Sequence, residues 1–278
     1  MGTTGAKEKS QNHKNGNPIK TILTILFAVM FLYSAMQLYG IWQEYREGET
    51  LYHNAQEEFL QQTEEPNTPQ LADARLQFAV DFESLQAVNT DVIGWIYLED
   101  TAINYPVLHS KKNNDEYLYT TYDGKQNNSG SIFADYRNKA DFTDDNTVLY
   151  GHNMKNGGMF ACLLKMRGQE YYDSHREFYI LTPEGNHRYE IISVFQVDAL
   201  SDLYNRTFGT VEDKQHWLDR VIKNSTVLAP YTATTADRFV MLSTCVSGDD
   251  PRARVVAVGR LAEVEAVYQP QQTGISSE

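Results

Sequence analysis

The sequence contains only two cysteines among its 278 residues, and this scarcity excludes several kinds of site. It has no Cys-x-x-Cys and no His-x-x-x-His, and its seven histidines are scattered, so it shows no metal-binding pattern. A disulfide between Cys162 and Cys245 is conceivable in an exported chain. It is disfavoured because Cys162 lies in an apolar run that predicts a small buried residue, whereas the residues around Cys245 indicate a use for its thiol.

Positive charge is also scarce. The chain carries a net charge of −13 at pH 7, and four of its lysines lie before residue 21. A surface that binds a phosphate backbone needs a basic patch. The acidic balance therefore argues against nucleic acid as a partner.

Charged side chains are absent from Thr21 to Trp42, and a helix of that length would cross a hydrocarbon core of roughly 30 Å. Lysines precede this run and glutamates follow it, so the positive-inside rule predicts a cytoplasmic N-terminus at residues 1–20. A cleaved signal peptide is the alternative, but the run is long and shows no small-x-small cleavage site. We therefore expect a single-pass anchor at residues 21–42, with the rest of the chain extracellular.

The composition changes twice after this anchor. Residues 43–81 are rich in Glu and Gln, with a break at Glu65–Pro69, which predicts a helical stalk. Residues 82–268 carry enough apolar and aromatic side chains for one folded domain. Residues 269–278 are expected to form a disordered tail.

Within the domain, the dominant pattern is a series of short, closely spaced β-like runs, which favours a barrel or a sandwich. The runs are Val92–Leu98, Ile103–Leu108, Ser131–Ala134, Thr147–Tyr150, Phe178–Leu181, Tyr189–Val197, Phe239–Cys245 and Arg254–Leu261. The first two runs, divided by the polar Glu99–Thr101, predict a hairpin. Two stretches have helical spacing instead, Met159–Met166 and Val211–Asn224. The second predicts an amphipathic surface helix shortly before the run that ends at Cys245.

Three residues at the ends of these runs have the chemistry of a nucleophilic site. Period-2 alternation places Ser243 and Cys245 on one strand face, so the thiol emerges at the strand end. Arg254 opens the next run and supplies a fixed cation, with Arg252 as a less favoured alternative on the same face. His152 follows another apolar run after a glycine and could act as acid and base. Taken singly, each of these residues is more often structural.

Several longer motifs together resemble a class B sortase over roughly residues 82–265. They are Ile93–Ile96, Ile103–Val107, Asn114–Leu118, Gly130–Asn138, Tyr150–Met154, Met159-Phe160, and Leu242–Cys245 with Arg254. The resemblance implies an eight-stranded closed β-barrel, mainly β with N-terminal helices and an extra helix before the cysteine strand. It also implies a membrane-anchored cysteine transpeptidase of Gram-positive bacteria that needs no organic cofactor and, as a class B enzyme, no metal.

The resemblance further implies the substrates and the site. Such enzymes cleave secreted proteins after the threonine of a C-terminal sorting signal, here expected to be of the Asn-Pro-x-Thr-x type. They transfer the acyl group to an amine of the peptidoglycan cross-bridge or its lipid-linked precursor. Cys245, His152 and Arg254 match the catalytic positions, and Asn114, Leu118, Tyr150 and Ser243 match positions that contact the peptide. Core packing remains the alternative for Leu118 and Tyr150, and helix capping for Asn114.

Three functions therefore stay open from the sequence. The first is sortase-type transpeptidation. The second is an exported cysteine hydrolase that passes the acyl group to water. The third is a non-enzymatic surface module that uses the domain for binding.

Overall fold

The computed structural model describes residues 18–62, 76, 78–246, 248 and 250–265. Its chain divides into two compact units, residues 1–44 and 45–278. Helix α1 (Pro18–Phe59) begins in the first unit, where its large apolar side chains from Ile19 to Trp42 are exposed. Among the described residues it is the one helix long and apolar enough to cross a membrane. This agrees with the predicted span in length and composition.

The second unit is built on eight strands that form a closed barrel, as predicted. The strands are β3 Val92–Tyr97, β4 Asn104–His109, β5 Ile132–Ala134, β6 Asn146–Tyr150, β7 Glu177–Leu181, β8 Asn186–Asp198, β9 Phe239–Cys245 and β10 Ala253–Glu265. Their order around the barrel is β10-β8-β7-β3-β4-β5-β6-β9. Each coincides with a predicted run to within a few residues, and β3 and β4 form the expected antiparallel hairpin.

Most strand pairs are antiparallel, but two are parallel, β4 with β5 and β6 with β9. The second parallel pair matters most for the site, because it brings the end of β6 beside the end of β9. Tyr150 then lies opposite Ser243. On the other side of β9, antiparallel pairing with β10 places Arg254 opposite Cys245.

Alternation along β9 divides its side chains between two apolar clusters. Val240 and Leu242 face the main core inside the barrel. Phe239 and Met241 face outward into a second cluster with Trp217. That tryptophan belongs to α4 (Val211–Lys223), the amphipathic helix predicted before the cysteine strand. The face that carries the thiol is therefore the face that α4 covers.

The segment expected to be a helical stalk differs from that expectation. Helix α1 continues without interruption to Phe59, and from Tyr45 onward it belongs to the same unit as the barrel. Tyr52 and Phe59 are buried in the main core, because apolar side chains recur on one face of this Glu-rich helix. A short ladder follows, β1 (Leu60–Gln62) with β2 (Phe78–Val80). The expected break at 65–69 and the tail at 269–278 lie outside the described residues.

The predicted helix at Met159–Met166 is instead a 3-10 helix, Ala161–Arg167. Its backbone closes with i→i+3 hydrogen bonds, such as Leu163 N to Phe160 O, and Gly168 ends it. Two short helices had no sequence prediction, α2 (Phe82–Val88) and α3 (Gln169–Ser174).

Candidate active site

The thiol of Cys245 is exposed at the end of β9, while the preceding residues of that strand are buried. Cys162 is buried, and both cysteines are free, so no disulfide consumes either thiol. Burial raises the pKa of the Cys162 thiol to about 11, which keeps it protonated near neutral pH. Cys245 is thus the accessible thiol of the chain.

The guanidinium beside Cys245 belongs to Arg254. These residues pair directly across β9 and β10, so their side chains leave the same face of the sheet. Arg254 Nη1 donates to the carbonyls of Pro251 and Ala253 at 2.8 and 3.0 Å, which holds the side chain against the turn before β10. Arg252 lies in that turn, before β10 begins, and its Nε lies 3.4 Å from Asp198 Oδ2. The structure therefore places Arg254, and not Arg252, next to the thiol.

His152 reaches the same place because the chain after β6 stays bonded to β9. Gly151 N donates to the carbonyl of Ser243 at 3.1 Å, and Thr244 Oγ1 donates to the carbonyl of Gly151 at 2.8 Å. A Cβ on Gly151 would lie 2.4 Å from Ile132 Cδ1. Only glycine allows this close approach, which explains why a glycine precedes the histidine.

The imidazole of His152 is oriented by a backbone carbonyl. Its Nε2 lies 2.6 Å from Leu118 O. A carbonyl oxygen can only accept, so this nitrogen carries a hydrogen, and Nδ1 is left as the nitrogen that can take up or release a proton. The ring of Tyr119 lies beside the imidazole, with centroids 5.7 Å apart. Leu118 therefore contributes its main-chain carbonyl to the site.

All seven residues predicted for the site line one cavity of about 220 Å³. The catalytic candidates meet the four candidates for peptide contact there. The complete lining is Asn114, Asp115, Leu118, Phe133, Tyr150, Gly151, His152, Ala199, Tyr204, Ser243, Thr244, Cys245 and Arg254. We call this cavity the cleft.

Among the cleft residues that the sequence did not indicate, Tyr204 has the largest side chain. It lies on a 3-10 turn, Asp202–Tyr204, in the connection between β8 and α4. Its Oη lies 2.8 Å from Ser243 Oγ, and its ring stacks on that of Tyr150 with centroids 6.3 Å apart. Burial raises the pKa of Tyr204 to about 12, so the phenol stays protonated. Tyr204 therefore links the connection that precedes α4 to β9, the strand that carries the thiol.

In the part of the chain that the structure describes, no three His, Cys, Asp or Glu side chains come together in a way that could hold a metal ion. The polar groups of the cleft are the thiol, the imidazole, the guanidinium and the carboxylate of Asp115, together with hydroxyls and amides. Such a set suits acyl transfer through a thioester, in which a nucleophile, an acid and base, and a donor to an oxyanion are required.

Comparison with known proteins agrees with this architecture. The family model described as Sortase domain matches residues 96–262. Sortase B of Listeria monocytogenes is 31% identical over 240 residues, covering 86% of this chain and 95% of that protein. A crystal structure of sortase B from Bacillus anthracis superposes with a TM-score of 0.68 at 31% identity, covering 81% of this chain and 99% of that one. A Staphylococcus aureus sortase B–substrate complex gives a TM-score of 0.66 at 27% identity, covering 80% and 99%.

The closed barrel and these matches show that the chain belongs to the sortase family, whose members are cysteine transpeptidases. Within that family it is a class B sortase, because the relatives and the structures it matches over most of its length are sortases B. The family, the fold and the enzyme class inferred from the sequence motifs are thereby confirmed. Family membership also favours transpeptidation over the two other functions that the sequence left open.

Proposed function

We propose that this enzyme cleaves the C-terminal sorting signal of secreted proteins, of the Asn-Pro-x-Thr-x type, after its threonine, and joins the new carboxyl end to a peptidoglycan amine. One observation carries the proposal. Cys245, His152 and Arg254 come from the ends of separate strands and line one cleft in a protein of the sortase B class. The amine belongs to the peptidoglycan cross-bridge or to its lipid-linked precursor.

In the first half-reaction the Cys245 thiolate attacks the threonyl carbonyl, and a C–S bond forms as the carbonyl π pair moves onto oxygen. His152 in its protonated form then gives its Nδ1 proton to the leaving nitrogen, and the C–N bond breaks. The peptide C-terminal to threonine departs as an amine. The acyl group stays on Cys245 as a thioester, and His152 is neutral.

The second half-reaction runs in the opposite sense. The incoming amine attacks the thioester carbonyl, and neutral His152 takes up the proton that this nitrogen loses. The C–S bond breaks, an amide bond has formed, and Cys245 returns as thiolate beside protonated His152. Because Leu118 O fixes the hydrogen on Nε2, the same ring nitrogen serves both steps.

Arg254 is assigned to the charge that develops on the carbonyl oxygen. A guanidinium remains protonated at every step and donates through several N–H groups. Its position opposite Cys245 supports this assignment, because the tetrahedral oxyanion forms on the carbon bonded to the Cys245 sulfur. Hydrogen-bond donors placed at a developing oxyanion are often the largest single contribution to such catalysis.

For the peptide we assign Asn114, Leu118, Tyr150 and Ser243 as contacts, because they line the cleft with Cys245. The solved structure of a sortase B–substrate complex from S. aureus, to which this chain is similar, supports a substrate ligand for this cleft. We further assign the apolar part of α1 as a single-pass anchor, with the N-terminus cytoplasmic and the catalytic unit outside the membrane.

The proposal is tested with peptides that carry an Asn-Pro-x-Thr core, incubated with the enzyme in the presence and absence of triglycine or a diamino acid. Mass spectrometry should show cleavage after threonine and, with the amine, a ligated product. Cys245→Ala should form neither product, whereas Cys162→Ala, the matched control, should form both. Release of the free acid alone, with no ligation at any amine concentration, would show a hydrolase and contradict the proposal.

A further inference from the structure

A buried carboxylate lies behind the cleft wall without lining the cleft itself. Asp135 follows β5, and its side chain is 1% exposed. It accepts hydrogen bonds from Asn114 and Tyr150, both of which do line the cleft. It therefore connects two proposed peptide contacts that come from distant parts of the sequence.

Arg137 keeps this carboxylate ionised. Its Nε and Nη2 each donate to a different oxygen of Asp135 at 2.8 Å, and its backbone N donates at 3.0 Å. Burial acts against the charge, but these donors outweigh it and lower the pKa of Asp135 to about 2. At neutral pH both carboxylate oxygens are therefore acceptors only.

This fixes which way the Asn114 amide points. Its Nδ2 donates to Asp135 Oδ2 at 3.1 Å, and its Oδ1 accepts from the backbone N of Tyr136 at 2.8 Å. If the amide were flipped, its oxygen would face the Asp135 carboxylate and its NH2 group would face the backbone N–H of Tyr136. Neither contact could be a hydrogen bond, so only one orientation of the amide is possible. Nδ2 has two hydrogens and Asp135 takes one. The other remains as a donor on a residue of the cleft wall.

The hydroxyl of Tyr150 has the opposite polarity. Its Oη lies 3.2 Å from the same Asp135 oxygen, Oδ2, and must donate its only hydrogen there. Burial raises the pKa of Tyr150, so that hydrogen stays in place. The phenolic oxygen can then only accept from a ligand. Since Asn114 Nδ2 and Tyr150 Oη both contact one oxygen, the wall presents a donor and an acceptor side by side.

We propose that Asp135 is a positioning residue for substrate recognition, which orients Asn114 and Tyr150 so that this part of the cleft binds an amide group of the sorting peptide. An amide offers a carbonyl oxygen to Asn114 and an N–H to Tyr150. Both a side-chain carboxamide and a main-chain peptide group have this chemistry. The inference rests on the proposed function in one respect only, that the ligand of the cleft is a peptide.

The test compares wild-type enzyme with Asp135→Asn, both as full chains. An asparagine at 135 keeps the size but can donate as well as accept, so the imposed orientation of Asn114 is lost. Asp123→Asn is the matched control. Like Asp135, Asp123 is largely buried and paired with a basic residue, but its ion pair with Lys125 and its hydrogen bond from Thr121 involve residues that do not line the cleft. Thermal melts and titration of the Cys245 thiol give the folded fraction of each protein.

Each protein is assayed with a parent peptide, with analogues in which each side-chain carboxamide becomes leucine, and with analogues in which each main-chain N–H becomes an ester oxygen. Wild type and Asp123→Asn should prefer the parent over one of these analogues by about tenfold in kcat/KM. Asp135→Asn should reduce that preference to within about twofold, through a higher KM for the parent and with kcat nearly unchanged. The position of the sensitive analogue identifies a side-chain or a main-chain amide as the ligand.

A purely structural role for Asp135 gives a different result. It would lower kcat/KM for parent and analogues by the same factor and leave the preference intact, which would overturn the inference. So would a wild-type enzyme with no preference at any position. In the Asn114→Ala background, Asp135→Asn should weaken binding by less than it does in wild type, because only the part that acts through Tyr150 remains. Fully additive losses count against the inference.

Peptide binding to Cys245→Ala, followed by fluorescence anisotropy, separates recognition from chemistry. The same parent-to-analogue comparison is made in Cys245→Ala with and without Asp135→Asn. If the preference depends on Asp135 in binding but wild type cleaves no peptide, the proposed function fails and this inference stands. If wild type cleaves and ligates but the preference ignores Asp135, this inference alone fails.

Discussion

Cys245 and Arg254 occupy opposite positions on antiparallel strands, where Cβ atoms lie roughly 5 Å apart. The next side chain on the same face of β10 is two residues further from Cys245 along the strand. A residue in the turn before β10 is not held in position by the hydrogen bonds between β9 and β10. Arg252 is in that second situation, exposed and close to Asp198. The register of the two strands therefore supports the prediction of Arg254 over Arg252 as the functional arginine, and this support does not depend on any relative.

The two arginines should accordingly differ in their effect on catalysis. Arg254→Ala removes the donor assigned to the oxyanion and should lower kcat/KM by roughly 10²–10³-fold, the range typical for such donors. Arg252→Ala should change it by less than about threefold. Steady-state cleavage of a fluorogenic sorting peptide measures both. Comparable losses in the two variants would show that the guanidinium acts through general charge and not through its position.

Asp135 also makes the stability of the fold depend on pH. Its pKa is about 2 in the folded protein, below the value of about 3.9 for a free aspartate. The carboxylate then contributes about 2.5 kcal/mol to the free energy of unfolding above pH 4, and this contribution is lost as the pH falls towards 2. Asp135→Asn should be destabilised by about that amount at pH 7, and the gap to wild type should narrow by pH 3. Urea unfolding at both pH values measures the gap; a constant gap is the contrary result.

At the level of single residues, the sequence indicated side chains whose position a motif or a strand period fixes. Cys245, Ser243 and Arg254 follow from alternation along two strands, and all seven predicted residues line the cleft. Tyr204 was missed because it lies on a short turn between predicted elements, where no periodicity constrains a side chain. Asp135 was missed because its importance depends on Asn114, which approaches it from a separate loop.

At the scale of elements, the pattern that predicted most reliably was β alternation. The barrel strands have apolar residues that must face either the core or α4, so a shift by one residue would expose them. Helix α4 was predictable because Trp217, Leu218 and Val221 recur on one face. The 3-10 geometry of Ala161–Arg167 was not predictable, because a run of apolar residues this short is compatible with both an α-helix and a 3-10 helix. Its burial and its flanking turns decide between them.

At the C-terminal end of α1, the amino-acid composition predicts an exposed helix, but the structure buries one face of that helix. Its Glu-rich sequence suggested an exposed stalk, but Tyr52, Ala55 and Phe59 form a stripe that packs into the main core. The Tyr52 hydroxyl also donates to the carbonyl of Gly130, next to β5. The stripe is visible in the sequence at helical spacing, whereas the surface that receives it is formed only when the barrel closes.

Phe59→Ala should therefore destabilise the catalytic unit itself. Removing a fully buried phenylalanine typically costs about 3–5 kcal/mol, because a cavity remains. Glu57→Ala, on the exposed side of the same helix, should change the free energy of unfolding by less than about 0.5 kcal/mol. Denaturant unfolding monitored by tryptophan fluorescence compares them. Two neutral substitutions would restore the interpretation of this segment as a stalk separate from the domain.

On the scale of the whole molecule, charge is divided unequally along the chain. The net charge is −13, although lysines predominate before the apolar run. A net negative charge does not attract a protein to anionic lipid surfaces, so the anchor that we propose depends on the apolar part of α1. That helix has a window of mean hydropathy 1.9 and exposes its apolar side chains on all sides. Such a surface is stable in lipid and costly in water.

We expect the full chain to remain in the membrane fraction after alkaline carbonate extraction, with its catalytic unit open to protease added outside the cell. Met30→Arg together with Ser34→Arg should release it, because each arginine near the centre of a span costs about 2.5–3.5 kcal/mol on insertion scales. Met30→Leu together with Ser34→Leu, the matched control, should keep it bound.

A cleaved signal sequence makes a different prediction. The mature protein would be shorter by intact-mass measurement and would be extracted by carbonate. Once secreted, it would be equally soluble in both variants. A transpeptidase that joins proteins to the cell wall must act where its precursors emerge from the membrane, so retention by α1 would also set the place of the reaction. The released variant should therefore ligate less in cells. Its cleavage of free peptides in solution should be unchanged.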